Sequence, residues 1–249
     1  MKSKKWSKLS WQSEEVAGMR TYGGFCPVAK AAEIIAERWT PLIIRELLTG
    51  SRRFHELEQG VPGIPHSLLV QRLRSLEQAG VVERRAAANG KHAEYWPTAA
   101  GQDLWDVVLA LGAWGQRWVT HDIGPADTDP GLLMWDMHRR IHLDRLPERR
   151  VVVQFEFRGA RRRTFWLVLE RPEPSVCHKD PEFDVDLLVT ADTLALHQVW
   201  MGRMVLADAM HRGLVEVDGP RDLVRAFPGW LALNFFASVP PAATRLSSA

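Results

Sequence analysis

The segment from residue 66 to residue 97 most constrains the fold of this chain, because it joins a helical apolar period to a hairpin signal. One narrow apolar seam runs along its helical part and consists of Leu69, Leu73 and Leu76. Gly80 is suited to end that helix, and the β-capable runs VVERR and HAEYW follow it. Asn89 and Gly90 between these runs form a strong short-range signal for a tight β-hairpin. The segment therefore predicts a helix packed beside a two-stranded wing.

Helical patterns flank this segment on both sides. Upstream, helices are predicted over 28–37, over 41–48 and over the short run FHELEQ. Thr40 and Ser51 are suited to cap the second and third of these helices. Downstream, Thr98 is suited to cap a long helix over 99–120. Short helices, a fourth helix and a hairpin together predict a winged helix-turn-helix, in which the fourth helix enters the DNA major groove and the wing lies along the phosphates.

The polar side of the fourth helix carries side chains that can read base edges. Ser67, Gln71, Arg74 and Gln78 gather opposite the leucine seam, with Val70 at the margin and His66 at the helix start. Arginine pairs with guanine, glutamine with adenine, and serine with either base. The alternative is the solvated side of an ordinary amphipathic helix. The adjoining hairpin, with the basic residues Arg84, Arg85, Lys91 and His92, favours the DNA interpretation.

A family resemblance covers about residues 22–120. The run CPVAKAAEIIAERWTPLIIRELLTGSRRFHELEQGVPGIPHSLLVQRLRSLEQAGVVERR, followed by YWPTAAG, resembles the HxlR family of winged-helix transcription regulators. The resemblance implies a repressor or activator that binds double-stranded DNA as a homodimer. One departure is Pro65, where family members usually place a capping Ser or Thr, so this helix start lacks a capping oxygen.

The long helix is predicted to pair with a second copy of the chain. Leu104, Val108, Leu111 and Trp118 share one side, flanked by Trp105, Val107 and Trp114. This apolar side is wide and aromatic. Packing within its own domain is an alternative, but pairing with a second copy fits better and matches the dimer helix that the resemblance implies. A two-fold dimer would bind a pseudo-palindromic operator.

Two basic features and one cysteine are further candidates. Arg52 and Arg53 precede the third helix and could contact phosphates, with a solvated surface pair as the alternative. Residues 1–21 form a basic arm that touches DNA or serves as a solubilising tail. Cys26 precedes the first helix, where a helix N-terminus favours the thiolate, and several members of the resembling family sense oxidants or electrophiles there. A buried, inert Cys26 is the alternative.

The second half of the chain reads as a different module. Gly, Pro and Asp interrupt helical periodicity over 121–130, which predicts a linker. Strand and helix signals over 131–240 predict an α+β domain with a mostly antiparallel sheet, and 241–249 is a tail. The order of a strand, a helix ending in Trp-x-Gly, a helix ending in Gly, a strand ending in Gly and a last helix resembles the sterol-carrier-protein fold. That resemblance implies an apolar ligand pocket lined by Trp200, Met201, Met204, Phe227, Trp230 and Phe235. The alternative is that these residues form an ordinary core.

Composition and the missing enzyme motifs restrict the classes of function that this chain can have. The first 120 residues hold 16 Lys and Arg against 12 Asp and Glu, an excess that suits a polyanionic partner. Two cysteines are too few for a disulfide framework, and neither a signal peptide nor a long apolar run is visible, so a cytoplasmic protein without a membrane partner is expected. A Walker loop and a GxGxxG motif are both missing from the sequence. His138 and His142 have helical spacing for a metal but no marked third ligand. We therefore expect no enzyme, cofactor or metal.

The fold class expected is a mainly α winged helix-turn-helix domain followed by an α+β sterol-carrier-like domain. The function expected is a homodimeric, sequence-specific transcription regulator, modulated by a small apolar ligand in the second domain or by thiol modification. The alternative is a carrier of lipids or apolar metabolites whose first domain serves for dimerisation.

Overall fold

The computed structural model describes residues 22–87, 92–119, 123–124, 127–159 and 163–242. Its N-terminal domain has the predicted winged-helix order. The elements are α1 (Pro27–Ile35), α2 (Thr40–Leu48), α3 (Phe54–Gly60), α4 (His66–Gln78), β1 (Val82–Ala86), β2 (Ala93–Pro97) and α5 (Ala99–Trp118). The strands β1 and β2 pair antiparallel, as the hairpin signal predicts. The Asn89-Gly90 turn and Lys91 lie outside the described residues.

The leucine seam of α4 forms the centre of the N-terminal core. Leu69, Leu73 and Leu76 are buried against side chains of α2 and α3, including Ile43, Leu47 and Leu57. Such burial stabilises by about 1.5–3 kcal/mol per large aliphatic side chain, which fixes the rotation of α4 about its axis. The opposite side of α4 is therefore directed to solvent.

The predicted helix caps are confirmed at one of three positions. The hydroxyl of Thr98 accepts the Gly101 amide at 3.2 Å at the start of α5. Thr40 does not cap α2, because the helix starts one residue earlier than predicted, at a left-handed Trp39 (φ 78°), and the Thr40 hydroxyl is buried. Ser51 does not cap α3 either, because its hydroxyl donates to Oε2 of Glu46.

The C-terminal domain is an α+β unit with a mixed sheet. Its elements are α6 (Pro130–His138), a 3-10 turn (Leu143–Arg145), β3 (Val151–Arg158), β4 (Arg163–Leu169), β5 (Ser175–Cys177), β6 (Leu187–Asp192), α7 (Thr193–Trp200), α8 (Leu206–His211), β7 (Val215–Asp218) and α9 (Arg221–Trp230). The strand order is β5-β4-β3-β6-β7; β3 and β6 are parallel and the other neighbours antiparallel. A mostly antiparallel sheet is thus confirmed.

Helices cover one side of this sheet. Alternate residues of β3 and β6 are buried in a single core with side chains of α6, α7 and α9, in keeping with the two-residue period of a strand. None of the helices within the described residues has both the length and the apolar character needed to cross a lipid bilayer.

Candidate nucleic-acid interface

The outward side of α4 presents a row of polar side chains. Ser67, Gln71, Arg74 and Gln78 are all exposed, while Val70 at the margin is half-buried. Their spacing of three and four residues places them on one side of the helix. The buried seam on the opposite side holds this row in a fixed direction. A side of this composition carries the donors and acceptors that major-groove recognition requires.

The start of α4 carries no capping side chain, as predicted from Pro65. The Pro65 carbonyl accepts the amides of Leu68 and Leu69 at 2.9 and 3.0 Å. The ring of His66 lies on α3 instead, with Nδ1 2.9 Å from Oε1 of Glu58 and its centroid 4.6 Å from that of Phe54. His66 therefore joins α4 to α3 and fixes the direction in which the helix start points.

The wing contributes two exposed arginines. Arg84 is exposed, and Arg85 forms an ion pair with Glu83 while its guanidinium lies 5.0 Å from the ring of Trp96. The wing is tied to the start of α3, since the amide of Tyr95 donates to the Arg52 carbonyl at 2.8 Å. This bond fixes the base of the hairpin relative to the helices.

Arg52 and Arg53 are adjacent in sequence but have different environments. The guanidinium of Arg52 donates to the carbonyls of Leu47 and Ser51 and lies 4.5 Å from the Trp96 ring. Both hydrogen bonds use Nη1 of Arg52. Arg53 is half-exposed and lies 3.8 Å from Glu94. Arg53 is therefore the more exposed of the two, and a phosphate contact by either arginine stays a prediction.

One side of α5 remains open to solvent. Leu104 and Val108 pack into the N-terminal core, Trp105 packs edge-on to Phe235, and Trp118 is half-buried. The exposed stripe consists of Val107, Leu111 and Trp114. The apolar side predicted for pairing is therefore divided, because α2 and the C-terminal segment each cover part of it. The outward stripe differs from the predicted one and shares only Leu111 with its centre.

The two cysteines differ in accessibility. Cys26 is exposed at the N-cap position of α1, which rules out the buried alternative within this chain. Its neighbour Phe25 is 98% exposed. Cys177 is half-buried at the end of β5, and burial raises the pKa of its thiol.

The six residues expected to line an apolar pocket do not share one environment. Trp200, Phe227 and Trp230 are buried within the C-terminal core, and Met201 and Met204 pack against it. Phe235 lies outside that core, edge-on to Trp105 and beneath the guanidinium of Arg140 at 3.7 Å. This packing favours the core alternative for the three buried residues. A ligand pocket at these positions stays a prediction.

A buried ion-pair network between the two domains was not foreseen from the sequence. Oε2 of Glu46 in α2 is 2.9 Å from Nη1 of Arg139, the C-cap residue of α6, and it accepts the indole N–H of Trp135 at 3.1 Å and the Ser51 hydroxyl at 3.1 Å. Nη2 of Arg45 donates to Oε1 at 2.8 Å. Burial alone raises the pKa of Glu46, but the charges of Arg139 and Arg45 outweigh it and lower that pKa on balance.

Arg139 makes further hydrogen bonds in this network, and Gly60 packs so closely on Glu46 that no larger residue fits there. Arg139 also donates to Thr49 and Ser51 hydroxyls at 2.9 and 3.2 Å and to Asp136 at 3.2 Å. A Cβ on Gly60 would lie 1.8 Å from Oε2 of Glu46. Glu46 and Arg139 are 93 residues apart, so no local sequence pattern predicts that they pair. A glutamate on the apolar side of α2 nevertheless indicates a buried charge.

His138, one residue before Arg139, lies in the same region. Burial, together with the charge of Arg139, lowers its pKa to about 4, so the ring is neutral near neutral pH. The centroid of its ring lies 4.6 Å from that of the Trp135 ring, with the two rings tilted, and its buried Nδ1 makes no hydrogen bond of standard geometry. Among the described residues, no group of His, Cys, Asp and Glu side chains is placed to hold a metal ion.

The N-terminal part of the chain is similar in sequence to known transcriptional regulators. Residues 34–123 match the model of the HxlR-like helix-turn-helix family. The HTH-type transcriptional regulator Rv3095 of Mycobacterium tuberculosis is 38% identical over 99 residues, which are 39% of this chain and 62% of that protein. The regulator YvaP of Bacillus subtilis is 35% identical over 96 residues, covering 38% of this chain and 89% of YvaP.

The reduced form of the transcriptional regulator YodB from B. subtilis has 31% sequence identity and a TM-score of 0.34, and covers 39% of this chain and 97% of YodB. The sequence match covers less than two thirds of the length of Rv3095 but most of the length of YvaP. On the extent and identity of the YvaP match and on the family model, the chain belongs to the HxlR-like helix-turn-helix family.

Proposed function

We propose that this chain is a sequence-specific DNA-binding transcriptional regulator that acts as a homodimer. The observation that carries the proposal is the exposed polar row of α4, with Ser67, Gln71 and Arg74 held outward by the buried leucines. This row would read base edges in the major groove, with His66 and Val70 at its margins. The names of the relatives as HTH-type transcriptional regulators support the same assignment.

Phosphate contacts would come from the elements on either side of α4. Arg84 and Arg85 on the wing and Arg53 at the start of α3 are the exposed or half-exposed arginines there, and Lys91 completes the wing in the sequence. The uncapped start of α4 would add backbone amides, because a helix N-terminus attracts phosphate. These contacts would position the protein without selecting a sequence.

The dimer would form through the outward stripe of α5. Val107, Leu111 and Trp114 are each about half exposed, and Phe25 and Val28 near α1 are more exposed still. Large apolar side chains in one row on a helix mark an interaction surface. A two-fold dimer built on α5 would present two α4 helices to a pseudo-palindromic operator.

Ligand and thiol modulation belong to the same proposal. The C-terminal domain would bind a small apolar ligand, as its likeness to sterol carriers implies, and the observed order of β6, α7, α8, β7 and α9 supports that likeness. Because Trp200, Phe227 and Trp230 are packed, such a ligand would have to displace core side chains. Cys26 would serve as the thiol sensor, which its exposed position supports.

The test is capture of sheared genomic DNA by the purified full chain at about 150 mM salt, near physiological ionic strength. Arg74→Ala should lose about 1–3 kcal/mol of specific binding and relax the sequence preference. Arg84→Ala should weaken all sequences alike and reduce the salt slope by about one. Arg225→Ala, on the exposed side of α9, is the matched control and should bind as the parent does.

Each outcome separates the alternatives. Sharp peaks that share an inverted repeat and vanish with Arg74→Ala would support the regulator. If Arg74→Ala and Arg84→Ala both bound DNA as the parent does, the assignment of α4 to the major groove and of the wing to the phosphates would be refuted. Flat retention of DNA together with micromolar binding of an apolar ligand would favour the carrier alternative.

A further inference from the structure

A cleft of about 700 Å³ lies between the two domains, beside the Glu46–Arg139 network. One wall is the end of α2 and the outward side of α3, including Glu56. The other wall is α6 together with the turn from β4 to β5, including Trp135, His138, Glu170 and Glu173. A cavity of this size at a domain interface is typical of a small-molecule site. It is separate from the apolar core that the sequence indicated as a pocket.

The charges on the walls favour a cation. Glu56 comes from the N-terminal domain, and Glu170 and Glu173 come from the C-terminal domain. In the described part of the chain, the hydrogen bonds of Glu56 to the Arg52 and Arg53 amides and of Glu170 to Arg150 all use Oε2. The second oxygen of each carboxylate can therefore accept a bond from a ligand.

Arg139, the arginine on the cleft wall, does not neutralise these carboxylates, although Arg150 outside the cleft pairs with Glu170 at 2.7 Å. The donors of Arg139 are directed to Glu46, Asp136, the Thr49 and Ser51 hydroxyls and the Trp135 carbonyl. An anion in the cleft would have to break that network, whereas a cation would not. The neutral ring of His138 adds no positive charge near neutral pH.

The floor of the cleft suits an apolar or aromatic body. The rings of Trp135 and His138 lie 4.6 Å apart in a tilted arrangement, and Ile141 and Val176 also line the cleft. An aromatic face attracts an organic cation as well as an apolar group.

We infer that this cleft binds a small organic cation with an aromatic or apolar body, the cationic head between Glu56 and the Glu170–Glu173 wall and the body on Trp135. Such a ligand bridges the two domains, since its charge partners come from both. α3 forms one wall and is joined to α4 through His66, so occupancy of the cleft acts on the helix proposed to read DNA. That last step rests on the proposed function; binding itself does not.

The test uses free full-length protein without DNA, so that it stands apart from the regulator proposal. Calorimetry measures the binding of three cations: tryptamine, 2-phenylethylamine and benzamidine. The neutral and anionic counterparts of 2-phenylethylamine are 2-phenylethanol and 3-phenylpropionate. We expect saturable binding of the amines below about 5 mM and at least about tenfold weaker binding of both counterparts. The double variant Glu170→Gln, Glu173→Gln should weaken amine binding by about tenfold. Glu148→Gln, exposed and outside the cleft, should leave it unchanged.

Three results would overturn the inference: no saturable binding by any of the three cations, equal affinity for amine and alcohol, or an affinity that the double variant does not change. Thermal unfolding of each variant shows whether it is folded. A protein that binds amines in this charge-dependent way but captures no specific DNA would support the cleft and refute the regulator. Specific DNA capture without amine binding would do the reverse.

Discussion

The substitution Arg139→Met tests how much the buried ion pair between the domains stabilises the fold. Methionine keeps most of the side-chain volume but removes both contacts to Glu46, at 2.9 and 3.3 Å. The Glu46 carboxylate is fully buried and would keep only Arg45, Trp135 and Ser51 as donors. Removing one partner of a buried pair costs about 3–5 kcal/mol. Because Arg45 remains, we expect a loss of about 3 kcal/mol in the free energy of unfolding.

The measurement is urea unfolding of the full chain at neutral pH, followed by circular dichroism. The double variant Glu46→Gln, Arg139→Met removes the stranded charge, so it should be about 1–2 kcal/mol more stable than Arg139→Met alone. Arg225→Met is the matched control at an exposed site and should stay within about 0.5 kcal/mol of the parent.

The reasoning would be refuted if Arg139→Met were as stable as the control. It would equally be refuted if the double variant were less stable than the single one, because the cost would then not come from an uncompensated carboxylate. A transition that splits into two steps in Arg139→Met alone would show that the pair couples the unfolding of the two domains.

Three further outcomes follow from the described contacts. If the proposed dimer forms through α5, Leu111→Glu should convert it to a monomer in sedimentation, whereas Val205→Glu, at an exposed position of the C-terminal domain, should not. Cys26 should react with iodoacetamide faster than a free-thiol standard and faster than the half-buried Cys177, as read by mass spectrometry; a slower rate than the standard would end the sensor proposal. As the pH is lowered from about 6.5 to 4, the free energy of unfolding should fall by up to about 1.4 kcal/mol per pH unit. The reason is that His138 takes up a proton in the unfolded chain but not in the native one, where its pKa is lowered to about 4. His138→Asn should flatten that slope in urea midpoints, and an unchanged slope would contradict the assignment.

The elements that local patterns determine were predicted well. The α4 seam repeats at helical spacing, the Asn-Gly pair indicated the hairpin, and Thr98 caps α5 as its position suggested. Each of these signals lies within a few residues of the structure that it predicts. Thr40 and Ser51 have the same chemistry as Thr98 but do not cap, because a left-handed Trp39 and the buried Glu46 change what their hydroxyls can reach.

The environments that depend on distant partners were not predictable in this way. Arg52 resembles Arg53 in sequence, yet only Arg52 contacts Trp96 and the Leu47 carbonyl near the end of α2, because the wing folds back onto it. Glu46 and Arg139 are 93 residues apart. A charged residue on the apolar side of a helix indicates that a partner of opposite charge is needed, but it does not identify that partner.

The C-terminal domain contacts the N-terminal one at three places that matter for the proposed activity. α6 packs on α3 and binds Glu46 of α2, and the segment after α9 crosses α5, where a Cβ on Gly112 would lie 2.1 Å from Cζ of Phe236. Domains joined by a small polar interface usually move independently. A fully buried carboxylate cannot lose its arginine without a large cost, so a shift that separates Glu46 from Arg139 is disfavoured. In the proposed dimer, a molecule bound in the interdomain cleft would change the spacing of the two α4 helices only if it bound a second domain arrangement more tightly than this one.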